Sequence, residues 1–165
     1  MNVSAVQFDQ NNLLTSVIES LSRSGLHPSR LTLEIVESVV LQKSDAVIHA
    51  LDQLHSLGVQ IAMDDFGTGY SSLSYLRMFP FDRIKLDRSF LRDAPGSEES
   101  MAIIKAVAML GKCLNMELTA EGVETQEHLD CVVDAGYDST QGYFHARPMP
   151  FEKALLQCGA AVDCS

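Results

Sequence analysis

Six short apolar runs, at residues 1–5, 31–35, 59–63, 83–87, 117–121 and 138–144, alternate with stretches of helical periodicity. No other feature of the chain constrains its fold as much. Leu13, Leu14, Val17, Ile18 and Leu21 form one helical stripe, which stops at Gly25. A second stripe, Val47, Ala50, Leu51, Leu54 and Leu57, opens at Ser44 and closes at Gly58. Ile103, Ile104, Val107, Ala108, Leu110 and Leu114 form a third, and Leu129, Val132 and Val133 a fourth that ends at Gly136. Strand and helix in turn, with short connections, predict parallel βα units. No linker or low-complexity tract interrupts them, so the 165 residues are expected to form one domain.

The pattern inside the strands selects among parallel folds. Side chains along a strand point alternately to its two faces. Leu31 and Leu33 therefore oppose Thr32 and Glu34, and Val59, Ile61 and Met63 oppose Gln60, Ala62 and Asp64. Ile84 and Leu86 oppose Lys85 and Asp87, Leu118 and Ala120 oppose Thr119 and Glu121, and Val3 opposes Asn2 and Ser4. Each strand hides one face and carries polar residues on the other, toward its C-terminal end. A flat sheet covered by helices on both faces does not accommodate this. A (β/α)8 TIM-type barrel does, because its apolar faces meet the helical ring and its strand ends converge on the C-terminal mouth. The competing reading is that the polar ends merely line a solvated rim.

Asp64 and Asp65 end the third run and are followed by Phe66, Gly67, Thr68, Gly69, Tyr70, Ser71 and Ser72. Two adjacent carboxylates at the end of a buried strand repel each other and lose hydration. Oxygen ligands gathered in this way suit Mg²⁺, Mn²⁺ or Ca²⁺. The competing reading is a turn with solvated aspartates.

Composition excludes several classes. The formal net charge of −10 disfavours a surface that wraps nucleic acid. No run approaches the ~18 apolar residues of a membrane span, and the first residues lack the pattern of a secretory signal. Cys113, Cys131, Cys158 and Cys164 show neither CxxC pairing nor metal spacing, and read as reduced cytoplasmic thiols. The five histidines form no HxxxH or HExxH pair.

Asn2-Val3-Ser4, Leu33-Glu34-Ile35-Val36-Glu37, the 64–73 run, Lys85-Leu86-Asp87, Glu121-Gly122-Val123-Glu124 and Gln141-Gly142-Tyr143 resemble, in order and spacing, the signatures of the EAL domain. Arg147-Pro148-Met149-Pro150 continues the likeness. Val36 stands where the family usually has a threonine. The resemblance implies a bacterial cyclic di-GMP phosphodiesterase that yields linear pGpG. It implies Asn2, Glu34, Asp64, Asp65 and Glu121 as ligands of two Mg²⁺ or Mn²⁺ ions, with Asp64 bridging. It makes Lys85 the lysine that orients the attacking water, for which the competing reading is an ion pair with Asp87. Glu121 would also accept a proton, and Asp87 and Gln141 would line the site. Glu37 and Glu124 would stand behind the ligands. Glu37 would pin the loop 67–72, which in the family links substrate, metal and dimerisation.

Six units over 165 residues average about 27 each, so a complete eight-unit barrel needs ~220. The resemblance therefore places two units, with the Glu-Ala-Leu motif and a phosphate-contacting arginine, before Met1. On this reading the chain alone is weakly active or inactive. The alternative function is a non-catalytic EAL-type module that binds cyclic di-GMP or a protein partner.

Overall fold

A computed structural model describes residues 1–4, 7, 13–40, 45–68, 76 and 78–157. In chain order the elements are β1 (Asn2–Val3), α1 (Leu13–Ser24), β2 (Thr32–Val36), α2 (Glu37–Val40), α3 (Asp45–Ser56), β3 (Gln60–Phe66) and β4 (Arg83–Leu86). They continue with α4 (Arg88–Arg92), α5 (Glu98–Leu114), β5 (Glu117–Glu121), α6 (Gln126–Ala135), β6 (Ser139–Gln141) and α7 (Phe151–Gln157).

The six strands form one sheet in the order β1-β2-β3-β4-β5-β6, and every neighbouring pair is parallel. Sequential order matters here. Crossovers between parallel strands are almost always right-handed, so an order that never reverses keeps every helix on one face. A sheet with helices on one face curls into the arc of a barrel, whereas a doubly wound sheet reverses its order. The structure thus has the α/β barrel architecture expected from the strand pattern, with β1 and β6 at the edges of the arc among the described residues.

The core lies between the arc and the helices. Leu33, Ile35, Ile61, Met63, Ile84, Leu86 and Leu118 point outward and are buried, and Val17, Leu51, Leu54, Ile104, Val107 and Val132 meet them from the helices. α5 shows why these segments become helical. Ser97 caps its first turn by accepting the Ser100 N–H, and Glu98 and Glu99 sit favourably at the positive end of its dipole. Asn115, at φ 57°, ends it by returning its N–H to the Gly111 and Lys112 carbonyls. α6 begins at Thr125 and ends at Gly136 by the same devices.

Two aspartates tie the N-terminal rim in a way the residue pattern did not reveal. Asp82 donates its N–H to the Ile61 carbonyl and accepts the Ile61 N–H on its carboxylate at 2.8 Å. Asp138 repeats the pair with Leu118, accepting its N–H at 2.8 Å. Each side chain extends the sheet by one hydrogen bond below the strands.

Some sequence expectations change. The third helical stripe starts at Ile103 in the residue pattern, but α5 begins earlier, at Glu98. The short helices α2, α4 and α7 carry too few turns to display a periodicity. Ser44, Gly69, Tyr70, Ser71, Ser72, Cys158 and Cys164 lie outside the described residues.

Candidate metal-binding and catalytic site

The polar ends of β2, β3, β4 and β5 meet at the C-terminal mouth around one ammonium group. Lys85 Nζ lies 2.6 Å from Glu121 Oε1, 2.8 Å from Asp64 Oδ1 and 3.2 Å from Glu34 Oε1. Lys85 is only 5% exposed. Burial opposes its charge, but the contacts with Asp64 and Glu121 outweigh burial and hold the lysine protonated, its pKa above the usual range.

The two aspartates reach this place by a local irregularity. β3 and β4 pair Met63 with Ile84 and Phe66 with Leu86, so β3 holds one residue more than its partner between these pairs. Asp65 takes up the extra residue at φ 54°, a conformation aspartate tolerates better than most residues. In a regular strand, consecutive side chains point apart. Here Asp64, Asp65 and Glu121 each bring one carboxylate oxygen within 4.8 Å of the other two. Thr68 closes the turn behind them, its hydroxyl donating to the Asp65 carbonyl at 2.9 Å.

The donor set fits a divalent cation. Burial, followed by the neighbouring Asp64 and Asp87 charges, raises the Asp65 pKa. Burial also raises that of Glu121, reinforced by Asp64 and Asp65 although Lys85 opposes it. Four carboxylates facing one ammonium leave a formal charge of −3, and the ligand atoms are all oxygen, the chemistry that hard cations select.

The remaining expected site residues are placed as follows. Asn2 stands in register with Glu34 on β1, and Gln141 in register with Glu121 on β6; both are exposed. Asp87 does not pair with Lys85. Its carboxylate instead caps α4 by accepting the Ser89 N–H at 2.9 Å, so the expected competing ion pair is replaced by the three-carboxylate cage. Glu37 is buried, 5% exposed, and neither of its carboxylate oxygens has a hydrogen-bond partner among the described residues. Phe66 is buried at the end of β3, and a Cβ on Gly67 would stand 2.9 Å from the Phe90 ring, so the loop starts tightly against α4. Glu124 is exposed and, with Asp87, borders a cleft of about 680 Å³ lined by Arg88, Ser89, Arg92, Gly122, Thr125 and His128. Arg88, one residue beyond the expected site residues, also acts through its charge on both Asp65 and Asp87. A basic residue directly after the Lys85-Leu86-Asp87 run was the available signal.

Comparison with known proteins agrees with the fold. The EAL domain family model aligns with residues 1–148. The chain is 43% identical, over 155 residues, to the bifunctional diguanylate cyclase/cyclic di-GMP phosphodiesterase MucR of Pseudomonas aeruginosa, covering 94% of this chain and 23% of MucR. The solved MucR phosphodiesterase in complex with c-di-GMP superposes with a TM-score of 0.88 at 43% identity, covering 93% of this chain and 62% of that one. A manganese and cyclic di-GMP complex of Klebsiella pneumoniae BlrP1 superposes with a TM-score of 0.84 at 32% identity, covering 90% of this chain and 38% of that one. The chain spans about a fifth of the length of the curated relatives it matches. With a family model matched along most of its length and a mouth of carboxylates built on sequential parallel strands, this chain belongs to the EAL domain family.

Proposed function

We propose that this chain forms most of the active-site mouth of a cyclic di-GMP phosphodiesterase that opens its substrate to linear pGpG. The observation that carries the reading is the gathering of Glu34, Asp64, Asp65 and Glu121 with Lys85 at the strand ends of an EAL-family arc. Asn2, Glu34, Asp64, Asp65 and Glu121 would hold Mg²⁺ or Mn²⁺. When bound, the ions supply Lewis acidity, acidify water and neutralise the phosphodiester.

Each protein group then has a defined task. Lys85 orients the attacking water, and a carboxylate of the mouth, best Glu121, accepts its proton. Oxygen from water bonds to phosphorus in line with the leaving group, the P–O3′ bond breaks, and the 3′ oxygen leaves with a proton. Asp87 and Gln141 border the substrate, while Glu37 supports the loop 67–72. That loop is the segment through which a homodimer would sense the site. The reaction takes place in the cytoplasm. Among the described residues no helix is long and apolar enough to cross a membrane.

Among the described residues the arc has open edges at β1 and β6, and phosphate held in an open arc is poorly oriented; misplacement by ~1 Å costs on the order of 10²-fold in rate. The 165-residue chain alone should therefore turn over little, and a longer polypeptide that closes the arc should be active. The test is incubation with cyclic di-GMP and Mn²⁺, with products resolved by chromatography. In the longer polypeptide, Asp64→Asn and Asp65→Asn should each abolish pGpG formation while leaving the thermal melt nearly unchanged. Near-normal hydrolysis by either variant would refute the metal-dependent reading. Cyclic di-GMP binding without any turnover in the parent polypeptide would favour a receptor instead.

A further inference from the structure

The carboxylates of the mouth form two overlapping sets that differ in their relation to Lys85. Asp64, Asp65 and Glu121 lie within 4.8 Å of one another, and Asp65 makes no ion pair with Lys85. Glu34 does not belong to that close group. It is joined to Asp64 and Glu121 through the lysine, whose Nζ contacts all three at 2.6–3.2 Å. The ammonium thus stands where a cation shared by Glu34, Asp64 and Glu121 would have to be, and the Asp65 side of the mouth is free of it.

We propose that Lys85 is a built-in cation that holds the Glu34 side of the site until a divalent ion displaces it, so that metal loading is stepwise. The inference rests on the metal-dependent reading above and adds an order to it. The first ion enters among Asp64, Asp65 and Glu121 with Lys85 still caged. The second needs Glu34 as well and therefore competes with the ammonium. The exchange makes and breaks no covalent bond and moves no proton; one cation replaces another. It also gives Lys85 two positions. One keeps three like charges, of which Asp64 is buried and Glu34 and Glu121 partly so, from repelling each other before metal arrives. The other, released, brings the ammonium into the mouth where it can orient water. A lysine freed only by complete loading would couple its action on water to the presence of both ions.

The experiment is a Mn²⁺ titration of the protein followed by electron paramagnetic resonance, which counts bound ions without any turnover. The parent protein should bind one ion more tightly than the next. Lys85→Met removes the competing cation, and should tighten the second step roughly tenfold more than the first, given close charge pairs in a partly buried site. Lys85→Arg keeps the charge and should leave the second step weak. A Lys85→Met protein whose second step is no tighter than the parent's would overturn the proposal. Failure of both proteins to bind Mn²⁺ would overturn the metal reading itself and the exchange with it. If Lys85→Met does not fold, the parent still decides the matter. The ¹⁵Nζ resonance of Lys85, slowed in exchange by its ion pairs, should change during the second equivalent of Mg²⁺. A change during the first, or none at all, would count against displacement.

Discussion

Replacing Gly122 by alanine should destabilise this chain by about 1–4.5 kcal/mol, and two separable causes make up that figure. Gly122 follows Glu121 directly and turns the chain at φ 74°. Alanine in that conformation costs ~1–2 kcal/mol, offset by ~0.4–1 kcal/mol from the reduced freedom of the unfolded chain. The second cause is contact. A Cβ there would stand 2.3 Å from Arg88 Cβ and 3.1 Å from Arg88 Cα, at the start of α4. Neither atom is the end of a flexible side chain, so the backbone has to move, at ~1–3 kcal/mol. Gly25 isolates the first cause. Its φ is 66°, and a Cβ there would meet nothing within 4 Å. Gly25→Ala should cost about 1.5 kcal/mol or less. For a chain of this size each kcal/mol lowers the melting temperature by roughly 2–4 °C, so Gly122→Ala should lose roughly 2–18 °C and Gly25→Ala about 6 °C at most. Urea titrations of both variants beside the parent supply the free energies. Equal losses in the two variants would refute the steric account of the β5–α6 turn.

Removing the Asp138 carboxylate in Asp138→Ala frees the buried Leu118 N–H and should cost ~1–3 kcal/mol, with Asp138→Asn recovering most of it through its remaining acceptor. A urea midpoint unchanged in Asp138→Ala would show that this rim bond is dispensable. Tyr137→Phe deletes a buried hydroxyl that donates to the Ile104 carbonyl at 3.1 Å and should cost ~0.5–1.5 kcal/mol; an unaltered midpoint would refute that. The Asp87 pKa lies below its ordinary 3.8: burial opposes the charge, but the hydrogen bonds from Ser89 and the nearby Arg88 outweigh it. A pKa lower in the folded than in the unfolded state means stability that is present above the unfolded value and lost as pH falls through the folded one. Below about pH 4 the parent should therefore lose stability more steeply than Asp87→Asn, and parallel pH curves for the two would contradict the capping role.

The barrel architecture was legible because alternation is a local property, carried by residues such as Leu33, Ile61, Ile84 and Leu118 in short runs bounded by turn signals. β5 shows this best, since its observed span, Glu117–Glu121, coincides with the apolar run. The geometry of the mouth was less legible. Counting by twos sends Asp64 and Asp65 to opposite faces, and nothing in the residue order announces the extra residue that reunites them, because that residue is defined only against the partner strand. The partners of Lys85 posed the same difficulty. Asp87 is near it in sequence, but Glu34, Asp64 and Glu121 meet it through the register of four strands. Asp82 lies just before the fourth run and Asp138 opens the sixth, and their bonds to Ile61 and Leu118 likewise depend on which strand lies alongside.

The sequential strand order has a consequence for how such a chain folds. Among the described residues every strand pairing joins positions between 20 and 34 apart, and no ladder waits for a distant segment. Loop closure of that length is entropically mild and grows only slowly with length, so the arc can extend one βα unit at a time from any paired seed. A chain emerging from the ribosome would find its docking edge in the unit made just before it. The four carboxylates and the lysine that meet at the mouth are collected over 88 positions of sequence, from Glu34 to Glu121, and they come together only when the fifth strand has docked. Until that moment Lys85 lacks Glu121, the nearest of its three partners, so completing the charge cage marks a late step of assembly.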